Sequence, residues 1–130
     1  MFYFTRTIYY LHTKLIMKFG GREGIKEEVM LDSALSTPLQ TFDSSDLYPS
    51  TIEKITRLSF EIVMNHPFID GNKRIAAKVL DVGLFANNII LQVTNDGMIE
   101  EFLSLASGNT KYQEFLNWTK SHINLIHQEG

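Results

Sequence analysis

The chain has 130 residues, of which 44% are hydrophobic, a length and composition typical of one globular domain spanning residues 1–130. Its 12 Lys and Arg against 15 Asp and Glu give a net charge of −3, which disfavours a nucleic-acid partner. The absence of cysteine excludes disulfides, thiol nucleophiles and thiolate metal ligands. Charged residues interrupt the apolar runs, so we expect no export signal, no membrane partner and a cytoplasmic location.

The first part of the chain predicts two helices and a loop. Residues 7–19 have apolar side chains at spacings of three and four, which indicates a helix that Gly20 would help to end. A short helix over residues 29–36 follows. Residues 41–49 are polar and have neither helical nor strand periodicity, so they predict a loop or a small hairpin flap.

Two longer helices are predicted next. Ser50 and Glu53 form a capping box at the start of the first, which should end near Pro67 because the residue before a proline disfavours helix. Asn72 is predicted to cap the second, which runs to about Asn87. Because this second helix is apolar nearly all round, we expect it to be central and buried.

The last part of the chain is also predicted to be helical. Thr94 should cap a helix over residues 97–106, and a capping box at Thr110 should open a last helix reaching about His127. Strand signals are weak, and residues 89–93 are the candidate. The predicted fold class is all-α, compact, with a short flap or hairpin.

One segment, residues 66–74, concentrates chemical groups at a helix-to-helix junction; we call it the signature loop. Lys73 and Arg74 lie in the first turn of the following helix, where each cation opposes the helix dipole at a cost of about 0.5 kcal/mol. That placement becomes favourable once a phosphate binds there. Gly71 permits close backbone approach, so the loop predicts an oligophosphate cradle.

Two further side chains of the signature loop suggest phosphoryl-type transfer. Asp70 beside a phosphate cradle is typical of Mg²⁺ sites, which use one or two carboxylates plus phosphate oxygens. His66, on the opposite shoulder of the loop, could accept a proton from an incoming hydroxyl at neutral pH. A base, a metal and a phosphate clamp together are what phosphoryl transfer requires.

The same residues also have structural interpretations. A histidine before a proline is often a helix-end cap, and an Asp-Gly-Asn sequence by itself is ordinary turn chemistry. Three other histidines lack metal-ligand spacing with carboxylates, and we interpret them as helix-surface or packing residues: His12, His122 and His127.

The signature loop, HPFIDGNKR, resembles the H-P-F-x-D/E-G-N-G/K-R motif of the Fic/Doc family, and all eight specified positions match. Further stretches resemble the death-on-curing branch of that family: residues 20–25, 32–35 and 47–49. The resemblance implies a compact helical Fic core, with the loop between two central helices and a flap before the first of them.

The resemblance also implies roles for matching positions. His66 would be the base that deprotonates a target hydroxyl, and Asp70 would be the Mg²⁺ ligand. ATP would be the donor, held in a phosphate-binding nest formed by Gly71, Asn72, Lys73 and Arg74. The catalytic residues implied are His66, Lys73 and Arg74.

Three positions depart from common patterns. Most Fic adenylyltransferases have Gly where Lys73 stands, and a second Arg at the position of Ala77. The death-on-curing branch shares both departures, and its toxin is a kinase that phosphorylates elongation factor Tu, although it tends to have Ala where Gly71 stands. Transfer of a γ-phosphate is therefore the leading hypothesis, with AMP transfer and a catalytically idle Fic-fold binding module as alternatives.

Partners also follow from the resemblance. The flap would pair with an extended stretch of a target protein through its main chain, and it comprises Thr41, Phe42, Asp43, Ser44, Ser45 and Asp46. Self-restrained Fic proteins carry an inhibitory Ser/Thr-x-x-x-Glu-Gly/Asn motif. Here Phe19 and Leu125 stand four residues before the two Glu-Gly pairs, so we expect restraint by a separate antitoxin.

Overall fold

The computed structural model describes residues 5–126, and this part of the chain is mostly helical, as the sequence predicts. Its helices and strands are, in chain order, α1 (Thr5–Phe19), α2 (Glu28–Ser36), a 3₁₀ turn (Thr37–Leu39), β1 (Thr41–Phe42), β2 (Ser45–Asp46), α3 (Thr51–Asn65), α4 (Asn72–Phe85), β3 (Ile89–Leu91), α5 (Asn95–Ala106), α6 (Tyr112–Ser121) and β4 (Ile123–Leu125). None of the described helices is long and apolar enough to cross a lipid bilayer.

Helices α3 and α4 form the centre of the core, and the signature loop joins them. Their buried apolar side chains recur at helical spacing: Ile55, Leu58 and Ile62 on α3, and Ile75, Val79, Leu80 and Leu84 on α4. The buried Ser59 hydroxyl donates a hydrogen bond to the Ala76 carbonyl at 2.8 Å, which satisfies it across the helix pair. The predicted central position of α4 is confirmed, although Lys78 and Asp81 on it are exposed.

The remaining helices cover this pair with one or two large side chains each. Ile8 of α1, Leu31 of α2, Leu105 of α5 and Phe115 of α6 are all fully buried in the same apolar cluster. Each such burial contributes roughly 1.5–3 kcal/mol. The core therefore fixes both ends of the signature loop.

Two small antiparallel hairpins complete the fold. Strands β1 and β2 pair with Thr41 opposite Asp46 and Phe42 opposite Ser45, which confirms the hairpin option for the flap. Strand β3 begins at the predicted residue 89 and pairs with β4 in the register Ile89 to Leu125. Strand β4 has no counterpart in the sequence prediction.

Two of the predicted helix caps are wrong. Gly71 occupies the N-cap of α4 in place of Asn72, because its left-handed backbone (φ 76°) turns the chain before the helix begins. The cap of α6 is Lys111, whose N–H donates to the Glu114 carboxylate at 3.1 Å. Thr110 faces α5 instead, where its hydroxyl lies 2.6 Å from that of Ser104.

The predicted end of the last helix is also wrong. Helix α6 ends at Ser121, because the chain leaves it to form β4. The Gln92 N–H, next to β3, donates to the His122 carbonyl at 2.7 Å and extends that pairing to the helix end. His127, the predicted endpoint, lies outside the described residues.

Candidate active site

The part of the signature loop between α3 and α4, residues 66–71, begins and ends with a left-handed residue. His66 terminates α3 with φ 47° and ψ 56°, and Gly71 precedes α4 with φ 76°. Gly71 adopts such a backbone without strain, whereas a non-glycine residue does so at a cost. The two turns send the chain out of one core helix and into the next, and they leave the His66 ring exposed.

Asn72 fastens the loop from inside. Its Oδ1 accepts a hydrogen bond from the Phe68 N–H at 3.0 Å, and its Nδ2 donates to the Phe68 carbonyl at 2.9 Å. The same Nδ2 lies 3.4 Å from Nδ1 of His66. The buried side-chain amide of Asn72 is therefore used by hydrogen bonds within the loop. The main-chain N–H of Asn72 remains available to bind an anion.

The segment between α1 and α2 holds the loop from the other side. The Lys26 N–H donates to the Pro67 carbonyl at 2.7 Å, and the Ile69 N–H donates to the Gly24 carbonyl at 3.1 Å. Phe68, between these two bonds, is 1% exposed and anchors the loop in the core. These main-chain contacts make the loop a short strand-like extension of the segment beside it.

Asp70 presents a pinned carboxylate at the surface. One oxygen accepts a hydrogen bond from the Arg22 N–H at 3.1 Å and the other accepts one from the Gly71 N–H at 2.8 Å. These two bonds, Arg22 first, lower the pKa of the Asp70 carboxyl below its ordinary value, and the nearby Arg74 acts in the same direction. The carboxylate is therefore ionised at neutral pH and has lone pairs left for a cation.

The start of α4 combines main-chain donors with two cations. The first intrahelical bond runs from the Ile75 N–H to the Gly71 carbonyl, so the N–H groups of residues 72–74 have no helical acceptor. Lys73 and Arg74 are exposed, and neither forms an ion pair with any residue in the range 5–126. This end of the helix favours an anion.

Two clefts meet at Arg74. One, of about 300 Å³, is lined by Asp70, Gly71, Asn72, Lys73 and Arg74 together with Ala77 of α4 and the α5 residues Met98, Ile99, Phe102 and Leu103. The second, of about 410 Å³, lies between α1 and α4 and includes Lys14, Lys18, Phe19 and Lys78. Five predicted site residues therefore share one cleft, whereas His66 is not among its lining residues.

The six flap residues lie apart from that cleft, on the β1–β2 hairpin, and all are exposed. The base of the hairpin is attached to α3, because the Lys54 ammonium contacts the Asp46 carboxylate at 3.1 Å and the Tyr48 carbonyl. Arg57 lies over the Tyr48 ring, 5.2 Å from its centroid. Within residues 5–126 this sheet has two strands, so each strand has one edge that no other strand pairs.

Comparison with known proteins gives the family. The Fic/Doc family model matches residues 3–84, which include the signature loop and the hairpin. The chain belongs to the Fic/Doc family. It is also 32% identical over 78 residues to Toxin Doc of Mycolicibacterium smegmatis, a match that covers 60% of this chain and 60% of that protein.

The signature loop offers one carboxylate, that of Asp70, as a ligand for a magnesium ion. Among the described residues no group of three or more His, Asp or Glu side chains could hold a metal. Asp70 is a single ionised carboxylate beside a nest of N–H donors, which suits an ion that takes its other ligands from phosphate oxygens and water.

Two residues that contact the candidate site were not recognised from the sequence. His12, interpreted as a surface or packing residue, is a packing residue that also contacts Asp70, and Arg22 contributes its main-chain N–H. Both are far from the motif in sequence. A main-chain donor has no side-chain signature, so only the Gly-Gly turn before Arg22 hints at a close approach.

Proposed function

We propose that this chain is a Doc-type toxin: a Mg²⁺- and ATP-dependent protein kinase that transfers the γ-phosphate of ATP to a hydroxyl of a cellular protein. The observation that carries the proposal is the pair Lys73 and Ala77. Lys73 is the second residue of α4, Ala77 lies one turn beyond it, and both line the cleft of about 300 Å³.

These two residues favour one orientation of the nucleotide. AMP transfer requires the β- and γ-phosphates to lie deep in the nest, and a glycine at position 73 and a second arginine at position 77 would suit that arrangement. Lys73 instead adds a four-carbon stem and a charge there, and Ala77 supplies no cation. A reversed nucleotide, with its γ-phosphate beneath His66, is then favoured electrostatically.

The reaction assigns one task to each polar group. His66 takes the proton from the target hydroxyl, and the oxygen attacks the γ-phosphorus. The bond from that phosphorus to the βγ-bridging oxygen breaks, and ADP leaves with the electron pair. Lys73, Arg74 and the N–H groups at the start of α4 stabilise the negative charge. Mg²⁺, held by Asp70, would neutralise phosphate charge when bound.

The surroundings of His66 are compatible with its role as a base. Its ring is exposed, so a target side chain can reach it. The 3.4 Å contact from Asn72 Nδ2 to Nδ1 is too long to be a strong hydrogen bond. Asn72 therefore does not lock the tautomer, and Nε2 can carry the lone pair that accepts the proton.

The apolar wall of the cleft supports binding of a nucleoside. Ile99 and Leu103 of α5 are 58% and 53% exposed and face the cleft that begins at the phosphate nest. A base or ribose that packs on these side chains would bury apolar surface while the phosphates meet Lys73 and Arg74.

The target would bind at the β1–β2 hairpin. By resemblance to the death-on-curing branch, the target is elongation factor Tu. An extended segment of the target that pairs with the free edge of the hairpin would bring its hydroxyl toward His66.

A separate antitoxin would restrain the toxin at the second cleft. Apolar side chains such as Leu11 and Phe19 line it, together with four cations and one carboxylate: Lys14, Lys18, Arg74, Lys78 and Asp81. This combination fits an amphipathic segment with carboxylates along one edge. Because Arg74 lines both clefts, such a segment would also block the phosphate nest.

Expression in bacteria, followed by mass measurement of modified proteins, tests the proposal. Expression without an antitoxin should arrest growth, and lysate incubated with the protein, ATP and Mg²⁺ should contain a protein heavier by one phosphate. His66→Ala is the matched control and should be harmless. A gain of one nucleotidyl group would indicate AMP transfer, and harmless expression with no modification would indicate an idle module.

A further inference from the structure

His12 contacts the signature loop from within the core. It lies on α1 and is 2% exposed, and its Nε2 is 2.7 Å from the carbonyl oxygen of Asp70. A carbonyl can only accept, so Nε2 carries the hydrogen and donates. The ring also stacks on Phe68, with centroids 3.9 Å apart and planes 11° from parallel. Both ring position and ring plane are therefore fixed.

The bond from His12 determines where the next N–H points. The Asp70–Gly71 peptide is trans and planar, so its carbonyl and its N–H point in opposite directions. When His12 holds the carbonyl inward, the Gly71 N–H points outward, where it donates to Asp70 Oδ1 at 2.8 Å. The buried imidazole thus orients an exposed carboxylate through one peptide unit.

Asp70 is held from two directions. His12 contacts its carbonyl from within the core, at 2.7 Å. On the other side, the Arg22 N–H holds the second Asp70 oxygen at 3.1 Å. The carboxylate is therefore held by two donors, and one of them depends on His12.

We infer that His12 is a positioning residue: its hydrogen bond to the Asp70 carbonyl sets the Asp70–Gly71 peptide, and thereby the carboxylate proposed to hold Mg²⁺ and the nest proposed to hold phosphate. The inference deepens the proposed function and rests on it for the identity of the ligands. The effect on the peptide itself is independent of any activity.

Two variants separate the hydrogen bond from the packing. His12→Phe keeps an aromatic ring against Phe68 and removes the donor, and His12→Gln places an amide donor near the position of Nε2. Ile8→Val, one turn earlier on α1 and fully buried, is the control for a general loss of core stability. Should His12→Phe fail to fold, His12→Asn replaces it, because its shorter amide cannot reach the carbonyl.

The first readout is solvent exchange of the Gly71 N–H, measured by NMR without nucleotide or metal. We expect exchange about fivefold faster in His12→Phe, a factor that corresponds to the loss of one net hydrogen bond. The second readout is calorimetric ATP binding against Mg²⁺ concentration, where the Mg²⁺ requirement should rise about tenfold. His12→Gln should restore both values toward wild type.

The inference is overturned if His12→Phe, or His12→Asn in its place, matches Ile8→Val in both readouts. It is also overturned if His12→Gln, folded, shows no recovery in either. A wild-type protein that binds ATP and Mg²⁺ but transfers nothing would contradict the proposed kinase and leave the inference about His12 standing, because neither readout requires turnover.

Discussion

The signature loop and the β1–β2 hairpin are both short connections that contain left-handed non-glycine residues, yet they are built in opposite ways. The loop has an exposed histidine and an exposed aspartate, and beneath them Phe68 and Asn72 are buried and bonded. The hairpin has six exposed residues and two pairs of opposed strand residues. Its contacts with α3 are at its base.

Under the proposed function, this difference separates chemistry from recognition. Phosphoryl transfer would depend on groups held within a fraction of an ångström, and core side chains hold the loop in place. Target binding by strand addition needs free main-chain donors and acceptors, and the hairpin offers an open edge. The comparison predicts that changes in the loop alter the rate of transfer and that changes in the hairpin alter affinity for the target.

The largest effect is expected at His66. Replacing it with Asn should lower the transfer rate by about 10²–10⁴-fold, the range for loss of a general base. Asn is preferable to Ala because position 66 has φ 47°, and Asn tolerates the left-handed region better than most residues. Transfer of labelled phosphate to the target, measured together with the unfolding temperature, checks this prediction.

His66→Ala serves as the companion variant, since it removes the same imidazole with added backbone strain. Both variants should be equally inactive, while the Ala variant should unfold at a lower temperature. If the Asn variant transferred phosphate at the wild-type rate, His66 would not be the general base, and its role would be only to end helix α3.

The next effect is expected at the Gly-Gly turn. A Cβ at Gly21 would lie 2.7 Å from Asp70 Oδ2, whereas a Cβ at Gly20 would meet no atom within 4 Å. Both glycines have positive φ, so both alanine variants are strained, but only Gly21→Ala should displace the carboxylate. We expect its Mg²⁺ requirement to rise about 10–100-fold. Equal Mg²⁺ dependence in the two variants would contradict this account of Asp70.

The sequence predicted best those features that depend on neighbours in the chain. Ser50 and Thr94 cap their helices as expected, each accepting from the N–H three residues later, at 3.1 and 3.0 Å. Strand β4 was missed because its partner β3 lies on the far side of two helices in the sequence. Its stability comes from that pairing rather than from its own residues.

The candidate site shows the same dependence on local sequence. The motif selected His66 and Asp70 as candidate residues because their side-chain types and spacing appear within nine consecutive residues. The contact from His12 spans 58 residues, so no local pattern could reveal it. The cap at α4 was assigned to Asn72 because its side chain is a good cap in general, but the loop uses that side chain to hold Phe68.

A smaller effect is expected from the hairpin edge. Thr41→Pro should raise the KM for the protein target about fivefold to tenfold, as expected for one lost hydrogen bond, and leave the KM for ATP unchanged. The Leu47 N–H bonds to the Gln40 carbonyl, so by alternation Thr41 points its own N–H outward. Gln40 has φ −66° and ψ 144°, a conformation that accepts a following proline.

Thr41→Val is the matched control, because it keeps the N–H and the approximate shape and loses only the hydroxyl. It should behave as wild type. If the proline variant lost ATP binding to the same extent as target binding, a disturbed fold rather than a lost edge would be the cause.

The smallest effect is expected at the hairpin turn. Asp43 and Ser44 have φ values of 52° and 67°, the left-handed pair that a two-residue turn requires and that glycine adopts most easily. Ser44→Gly should stabilise the hairpin by roughly 1 kcal/mol. The hydrogen exchange of the Leu47 N–H with solvent should then be about fivefold slower than in the wild type. Exchange that is unchanged or faster would mean that the turn is not under strain.

The central claim is that Lys73 and Ala77 direct the γ-phosphate, not the α-phosphate, to the attacking hydroxyl. The direct test supplies the protein and Mg²⁺ with ATP labelled at the γ-phosphate in one reaction and at the adenine in a parallel one. We predict that the γ label appears on the target protein and that the adenine label does not, and that His66→Asn abolishes the signal. Adenine label on the target, with the γ label released, would contradict the reversed nucleotide and identify the enzyme as an AMP transferase.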